Sequence, residues 1–401
     1  MELKLNNASL AAIPAKGNLH FPPKGYKDLP ERVLQFGTGV LLRGLPDYFI
    51  DVANRNGVFN GRVVVVKSTA SGGTDEFASQ DCLYTIAERG IVNNNRIEQY
   101  WVNSAISRVL TASSQWDAIL QCAESRDMQI IISNTTEVGI VLQKENVRDG
   151  VPQSYPGKLL SFLFKRFVHF KGAPEAGMVI VPTELLTDNG SRLKSIVLEL
   201  ANYNELDSEF TNWLQQHNHF CNSLVDRIVP GKPPAAEFQQ LCAQLGYEDQ
   251  LMISAEPFNL WAIEATSPRV KEVLSFESVN EGMIIADRIE KFRELKLRLL
   301  NGTHTFSCGL AHLAGFETVK EALADEQFSA FIRRLMMVEI ADGVPQDLVS
   351  YNESCVYANT VLDRFRNPFL EHKWISISMN FTSKMGMRNI PLLQRYYKKA
   401  R

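Results

Sequence analysis

The chain has 401 residues, of which 45% are hydrophobic and 22% charged, with a formal net charge of −3. That length suffices for two packed domains, and the near-neutral balance gives no reason to expect nucleic acid or an anionic membrane as a partner. No uninterrupted run of 18 apolar residues is present to span a bilayer, and the opening residues lack the charged start and apolar core of a secretory signal. The six cysteines are dispersed, without a Cys-x-x-Cys pair or Cys/His zinc spacing. Free thiols in a reducing cytoplasm and no metal are therefore expected. No internal repeat or low-complexity stretch appears, and the sequence specifies no oligomeric state.

The first strong element is Arg32-Val-Leu-Gln-Phe36, a short apolar run that reads as a buried strand. It enters Gly37-Thr38-Gly39-Val40-Leu41-Leu42-Arg43-Gly44 and then a helix through residues 47–53. Two close glycines between strand and helix allow a tight turn and let backbone N–H groups approach a pyrophosphate. The spacing departs from Gly-x-Gly-x-x-Gly, because Leu42 stands at the third glycine position and Gly44 follows two residues later. Residues 61–66 form an unbroken β-branched run, which suits a strand in a sheet covered on both faces. At its end Lys67-Ser68-Thr69 replaces the acid that often holds a ribose 2′-OH. Lys67 can accommodate a 2′-phosphate, so NADP stays open beside NAD.

A helix is expected over residues 117–124 and a strand over 129–132. That strand runs into Ser133-Asn134-Thr135, at the carboxyl edge where open α/β sheets bind ligands. Asn134 and Thr135 are thus candidates to touch a nicotinamide ribose. Further helices are expected around residues 159–167 and 193–200, with strands at 178–182 and 251–255. After Gly282 the pattern changes to long helices over 283–300, 306–313 and 325–341, with a strand returning only at 374–379. The expected fold is α/β: a Rossmann-like domain with a mostly parallel sheet over 1–282, then a mainly α-helical domain over 283–401. The cleft between two such domains is the natural substrate site.

Within the second part, Lys296, Asn301 and His304 stand out. At about 100° per residue in an α-helix, Asn301 lies ~140° and His304 ~80° around the axis from Lys296, so the three can share one broad side. Such a set suits reduction of a ketone: an ammonium hands over the proton while an amide and an imidazole hold the oxygen as negative charge grows. The reverse reaction needs the lysine neutral, its pKa lowered from about 10.4 by burial or a nearby cation. The plain alternative is three solvated residues on a helix. Lys384 or Arg388 can bind a sugar-acid carboxylate through a charge-assisted pair, with ordinary surface charge as the competing reading.

The Lys-x4-Asn-x2-His pattern resembles the catalytic signature of the polyol-specific long-chain dehydrogenases, the mannitol dehydrogenase family. Val225-Asp226-Arg227-Ile228-x-Pro230 and Glu256-Pro257-x3-Trp261 resemble two further hallmarks in the same order. The resemblance covers most of the chain. It implies that Lys296 moves the proton while Asn301 and His304 hold the oxygen. It makes residues 33–44, with Gln35, Phe36 and the loop through Arg43, the nucleotide-binding segment. It also sets Glu137 on the route to the active site, Asp226 beside the substrate, and Arg364 near polyol oxygens in an Arg-Phe-x-Asn-Pro motif.

One departure is informative. Where mannitol dehydrogenases carry Asp-Asn, this chain has Glu184-Leu185, which removes a second carboxamide and points to a hexuronate-handling branch. Family members usually continue through further helices past the position of Arg401, so the chain is expected to be a short variant or part of a longer protein. The reaction implied is reversible reduction of the keto group of tagaturonate to altronate with NADH and no metal. Fructuronate, mannitol or mannitol phosphate are the alternative substrates, and a nucleotide-binding sensor without turnover is the alternative of another class.

Overall fold

The structure is a computed structural model that describes residues 3–68, 73–135 and 139–399. The chain divides into two compact units. Unit 1 comprises residues up to Ala87, Gln99–Ala255 and Asn259–Asp287; unit 2 comprises Glu88–Glu98, Glu256–Phe258 and the chain from Arg288 onward.

Unit 1 is built on six parallel strands: β1 (Glu31–Phe36), β2 (Arg62–Lys67), β3 (Ile106–Thr111), β4 (Ile130–Ser133), β5 (Val179–Pro182) and β6 (His219–Phe220). They lie in the order β6-β5-β4-β1-β2-β3. The chain therefore builds outward from β1 in one direction and returns to its other flank with β4, which makes β1 and β4 the topological switch point. Alternation along the strands explains the two cores. Val33, Val63, Val65, Ile130 and Ile132 pack into one cluster, while Leu34, Val64, Val66 and Ile131 pack into the other. Side chains of period two on a sheet covered on both faces require that continuous apolar runs be buried in both directions.

Beside a parallel pair of Leu3–Lys4 with Tyr247–Glu248, two smaller sheets complete unit 1 among the described residues. Strands Ser223–Asp226, Leu260–Glu264 and Met283–Ala286 form one of them. A hairpin of Tyr84–Val92 and Asn95–Asn103 forms the middle of the other, flanked by Ile253–Ala255 and Leu19–His20. The tip of that hairpin, Glu88–Glu98, groups with unit 2. Its turn residues Asn93 and Asn94 both have positive φ, of 51° and 62°, which suits the right-handed twist of the arms.

Unit 2 is helical. Glu290–Leu295 runs through a π-helical segment, Lys296–Gly302, into Thr303–Leu313. A second π segment, Leu335–Ile340, follows Glu326–Arg334. Leu299, Ile332, Met336, Val361 and Trp374 are buried in its core. Among the described residues no helix is long and apolar enough to cross a membrane.

Three local expectations change. Residues 283–286 are a strand, not the start of a helix, because pairing with Leu260–Glu264 decides a four-residue apolar run that periodicity leaves ambiguous. Residues 374–378 are helical, not extended: burial of Trp374 and Ile377 against the helical core overrides the β-propensity of Ile375 and Ile377. The helix after the glycine turn breaks at Leu45, which leaves the helical region with φ −133° and ψ −74° just before Pro46, giving α1 (Val40–Gly44) and α2 (Pro46–Arg55).

Candidate active site: a glycine crevice and a π-helical wall

In unit 1 the crevice forms at the carboxyl ends of β1 and β4. Gly37 leaves β1 with φ +129°, its N–H donating to Val66 O at 3.0 Å. A Cβ there would meet Leu42 Cδ1 at 2.9 Å and the Asn134 carbonyl oxygen at 3.1 Å, so the position requires glycine. Gly39, by contrast, is exposed, with open space where a side-chain carbon would stand, which leaves the turn before α1 bare. Residues Gly37 to Leu41 form the accessible part of the loop.

The opposite lip is held by a closed set of hydrogen bonds. Asn134 Nδ2 donates to Thr183 O at 3.1 Å and to Thr183 Oγ1 at 3.0 Å. Glu184 accepts from the Thr135 amide at 2.9 Å, Thr135 Oγ1 at 3.0 Å and Ser133 Oγ at 3.2 Å. Glu184 is thus the carboxylate that fixes the end of β4, a role that sequence reasoning missed, while Leu185 beside it is exposed. Asp226 is buried at the end of its strand. Its neighbour Arg227 donates Nη1 to Gly44 O at 2.7 Å and lies over Tyr48.

Several residues assigned to the nucleotide sit beneath it instead. Gln35, Phe36 and Leu42 are fully buried. Gln35 Nε2 donates to Asp47 Oδ2 at 3.3 Å and to the Gly37 carbonyl at 3.5 Å, supporting the turn from below. Arg43 donates Nη1 to Leu251 O at 2.6 Å and lies over Phe77 and Tyr84. These side chains point inward because β1 and α1 pack on the core along these faces, so their part in the loop is mechanical. Burial pushes the Asp47 carboxyl up to about 7. Asp47 Oδ1 and Gln35 Oε1 are both buried without a donor, an arrangement that a proton on Asp47 relieves. Lys67 is buried at the end of β2. Glu137 lies outside the described residues.

In unit 2 the three signature residues stand on and just after the π segment. A π-helix closes i→i+5 hydrogen bonds, so Asn301, five residues beyond Lys296, lies about one turn above it. The α-helical estimate of ~140° between them is superseded: the wider turn draws both onto one side. The looser winding leaves carbonyls to be satisfied by side chains. Thr303 Oγ1 donates to Leu299 O at 2.6 Å, Thr305 Oγ1 to Asn301 O at 2.9 Å, and Asn389 Nδ2 to Gly302 O at 3.1 Å. Arg298 clamps the segment from behind, its Nη1 donating to Met387 O and Arg388 O while Nε and Nη2 grip Glu294.

His304 is buried, its ring parallel to Phe365 at 4.3 Å and edge-on to His372 at 4.9 Å. Burial, then the charges of His372, Arg364, Arg388 and Lys384, hold its pKa well below the usual imidazole range. It is neutral at pH 7, and its Nε2 is shielded from solvent without a hydrogen-bond partner among the described residues. Arg364 grips Glu256 through Nε at 3.0 Å and Nη2 at 2.8 Å, with both side chains almost fully buried, and stacks on Phe258. It builds the wall behind His304 through this pair. Asn367 of the same motif donates to Arg89 O in the hairpin tip at 3.1 Å. A Cβ on Gly90 there would strike Pro257 Cδ at 2.6 Å, so the Arg-Phe-x-Asn-Pro, Glu-Pro and hairpin-tip segments fit as one piece. Lys384 donates to Ile377 O at 2.8 Å.

A parallel sheet in this strand order with a glycine turn at its switch point, joined to a helical unit carrying Lys, Asn and His, defines a dehydrogenase of the Rossmann class. The chain belongs to the mannitol dehydrogenase family: residues 31–275 match the mannitol dehydrogenase Rossmann domain and residues 288–400 the mannitol dehydrogenase C-terminal domain. It is 41% identical over 371 residues to altronate oxidoreductase of Halalkalibacterium halodurans, covering 92% of this chain and 71% of that protein. It is 38% identical to altronate oxidoreductase of Bacillus subtilis, covering 92% of this chain and 76% of that one. Among solved structures, substrate-free D-sorbitol dehydrogenase superposes with TM-score 0.83 at 20% identity, covering the whole chain and 82% of its own. Pseudomonas fluorescens mannitol 2-dehydrogenase, in a ternary complex with NAD and D-mannitol, gives 0.75 at 22% identity, covering the whole chain and 81% of its own.

Proposed function

We propose that this chain is an NAD-dependent altronate oxidoreductase, interconverting altronate and tagaturonate in the cytoplasm without a metal. The observation that carries the chemistry is the π turn that brings Lys296 and Asn301 to one side, followed by a neutral His304 whose Nε2 is free to face an oxygen. The name shared by relatives at 38–41% identity supports the sugar acid as substrate. The six free cysteines are in keeping with a reducing compartment.

The crevice suits a dinucleotide. Gly37 has no side chain between β1 and Asn134, and Gly39 leaves the approach to α1 open, so a pyrophosphate can rest on the backbone with Thr38 and Asn134 beside it. Lys67 is buried, which favours NAD over its 2′-phosphorylated form. When bound, NAD supplies the hydride acceptor. Lys296, acting as the neutral amine, takes the proton from the substrate hydroxyl as the carbon loses hydride. The Asn301 amide and the His304 N–H hold the oxygen while it carries negative charge, and the same groups serve in reverse with Lys296 as the acid. Glu137, Asp226 and Lys384 belong to the substrate side of this proposal. Unit 1 holds the nucleotide and unit 2 the proton-handling groups.

The test is absorbance at the NADH band with altronate, mannonate and mannitol, each with NAD and NADP. Altronate with NAD should give the highest kcat/KM. A preference for mannitol or for NADP would overturn the substrate or the cofactor respectively.

A further inference from the structure

We propose that Arg388 is the residue that recognises the carboxylate of the sugar-acid substrate, separating acids from neutral polyols. This rests on the altronate reading above and deepens it. Arg388 Nη1 donates to Thr305 Oγ1 at 3.1 Å and lies 3.4 Å from the Asn301 carbonyl, so the guanidinium is moored to the same wall as the signature residues. Its other edge, Nε and Nη2, has no protein partner among the described residues, and Nε is shielded from water.

At several other arginines that edge meets a carboxylate, while at Arg43 and Arg62 Nε is buried without a partner, as at Arg388. Arg364 uses Nε and Nη2 on Glu256, Arg298 on Glu294 at 3.0 and 2.9 Å, and Arg108 on Glu31 at 2.9 and 2.8 Å. Arg298 shows the whole pattern next door, with Nη1 on backbone carbonyls and the Nε/Nη2 edge on an acid. Arg388 has the first half of that pattern and lacks the second. The local charge points the same way. Arg364 is neutralised by Glu256, whereas Lys384, one turn before Arg388 on helix Phe381–Arg388, bonds to a carbonyl and to no acid among the described residues. Two neighbouring cations, both half-buried, thus stand at the wall with no acid of the described chain between them. A planar carboxylate on a guanidinium edge is a directional, charge-assisted contact that a hexitol, with a hydroxymethyl group in that place, does not make.

The experiment compares the wild-type chain with Arg388→Met and Arg388→Lys. Its readouts are altronate kinetics, inhibition by galactonate against inhibition by galactitol, and NADH binding by fluorescence. Arg388→Met should raise KM for altronate and Ki for galactonate by about 10- to 100-fold, with a smaller effect on kcat. The galactitol Ki and NADH affinity should be retained. Arg388→Lys, which keeps the charge without the fork, should fold and fall between. Equal weakening of galactonate and galactitol, or a loss confined to kcat, would overturn the proposal and reduce Arg388 to a support for Thr305 and Asn301. If the wild type oxidises no hexonate, the altronate reading fails by itself. The anchor is then decided by thermal shift: a galactonate stabilisation absent in Arg388→Met upholds it, and no galactonate stabilisation of the wild type overturns it.

Discussion

The crevice of unit 1 and the wall of unit 2 solve the problem of holding a ligand in opposite ways. Along the lip of the crevice the side chains answer one another, Asn134 to Thr183 and Thr135 to Glu184, with Asp47 Oδ1 and Gln35 Oε1 unpartnered in the support beneath, and the surface left for a ligand is mostly backbone. Along the wall the backbone is looked after by Thr303, Thr305 and Asn389, and it is side chains that are left without partners, His304 Nε2 foremost. Binding a common cofactor needs only a shape that peptide groups supply. Moving a proton needs groups whose ionisation is tuned, and unpartnered polar atoms in a dry place are how that tuning is kept.

The sharpest way to break this contrast is Lys296→Ala. Turnover should fall by about 10²- to 10⁴-fold while NADH affinity, measured by fluorescence, stays near that of the wild type. A loss of nucleotide binding would mean that the two regions do not divide the work. Next comes Arg364→Met, which takes the bidentate guanidinium away from the buried Glu256 carboxylate. Unfolding in urea should show a cost of about 3–5 kcal/mol, largely recovered by adding Glu256→Gln.

The smallest effect concerns the support beneath the glycine turn. Burial raises the Asp47 carboxyl from the ordinary 3.8 to about 7, so the folded chain holds an extra proton between those values. Its contribution is fully present below pH ~4 and is lost as pH rises through about 7, a difference of at most about 4 kcal/mol. Asp47→Asn should flatten that slope of melting temperature against pH and raise stability at pH 8. Unchanged pH dependence would show that Asp47 is ionised in the fold.

What could be read beforehand follows the same division. The runs at 32–36, 61–66 and 129–132 are unambiguous because a doubly covered parallel strand tolerates nothing else, and Gly37 is legible because no other residue fits. The hairpin of Tyr84–Asn103 went unread although Asn93-Asn94, both in positive φ, carries the signal of a tight turn. Lys296, Asn301 and His304 were visible as a spacing, but their relation in space was not, since a 100° periodicity cannot represent a π turn. Gln35 and Arg43 were assigned to the nucleotide by their place in a motif. A motif fixes the path of the backbone and does not tell which side chains turn inward. Glu256 was legible only as a letter of its motif, because its partner Arg364 lies 108 residues away.

The π turn has one more consequence. It holds one amino acid more than an α turn would, so the helix before Lys296 and the helix after Gly302 are phased by the tally of residues rather than by their kinds. Excising a single apolar residue such as Leu299 would let the stretch close into an ordinary α-helix in which Lys296 and Asn301 stand four apart, about 40° around the axis, and still share a side. Such a shortened protein would keep the signature and its alignment, and its loss would be the Leu299 side chain from the core of unit 2.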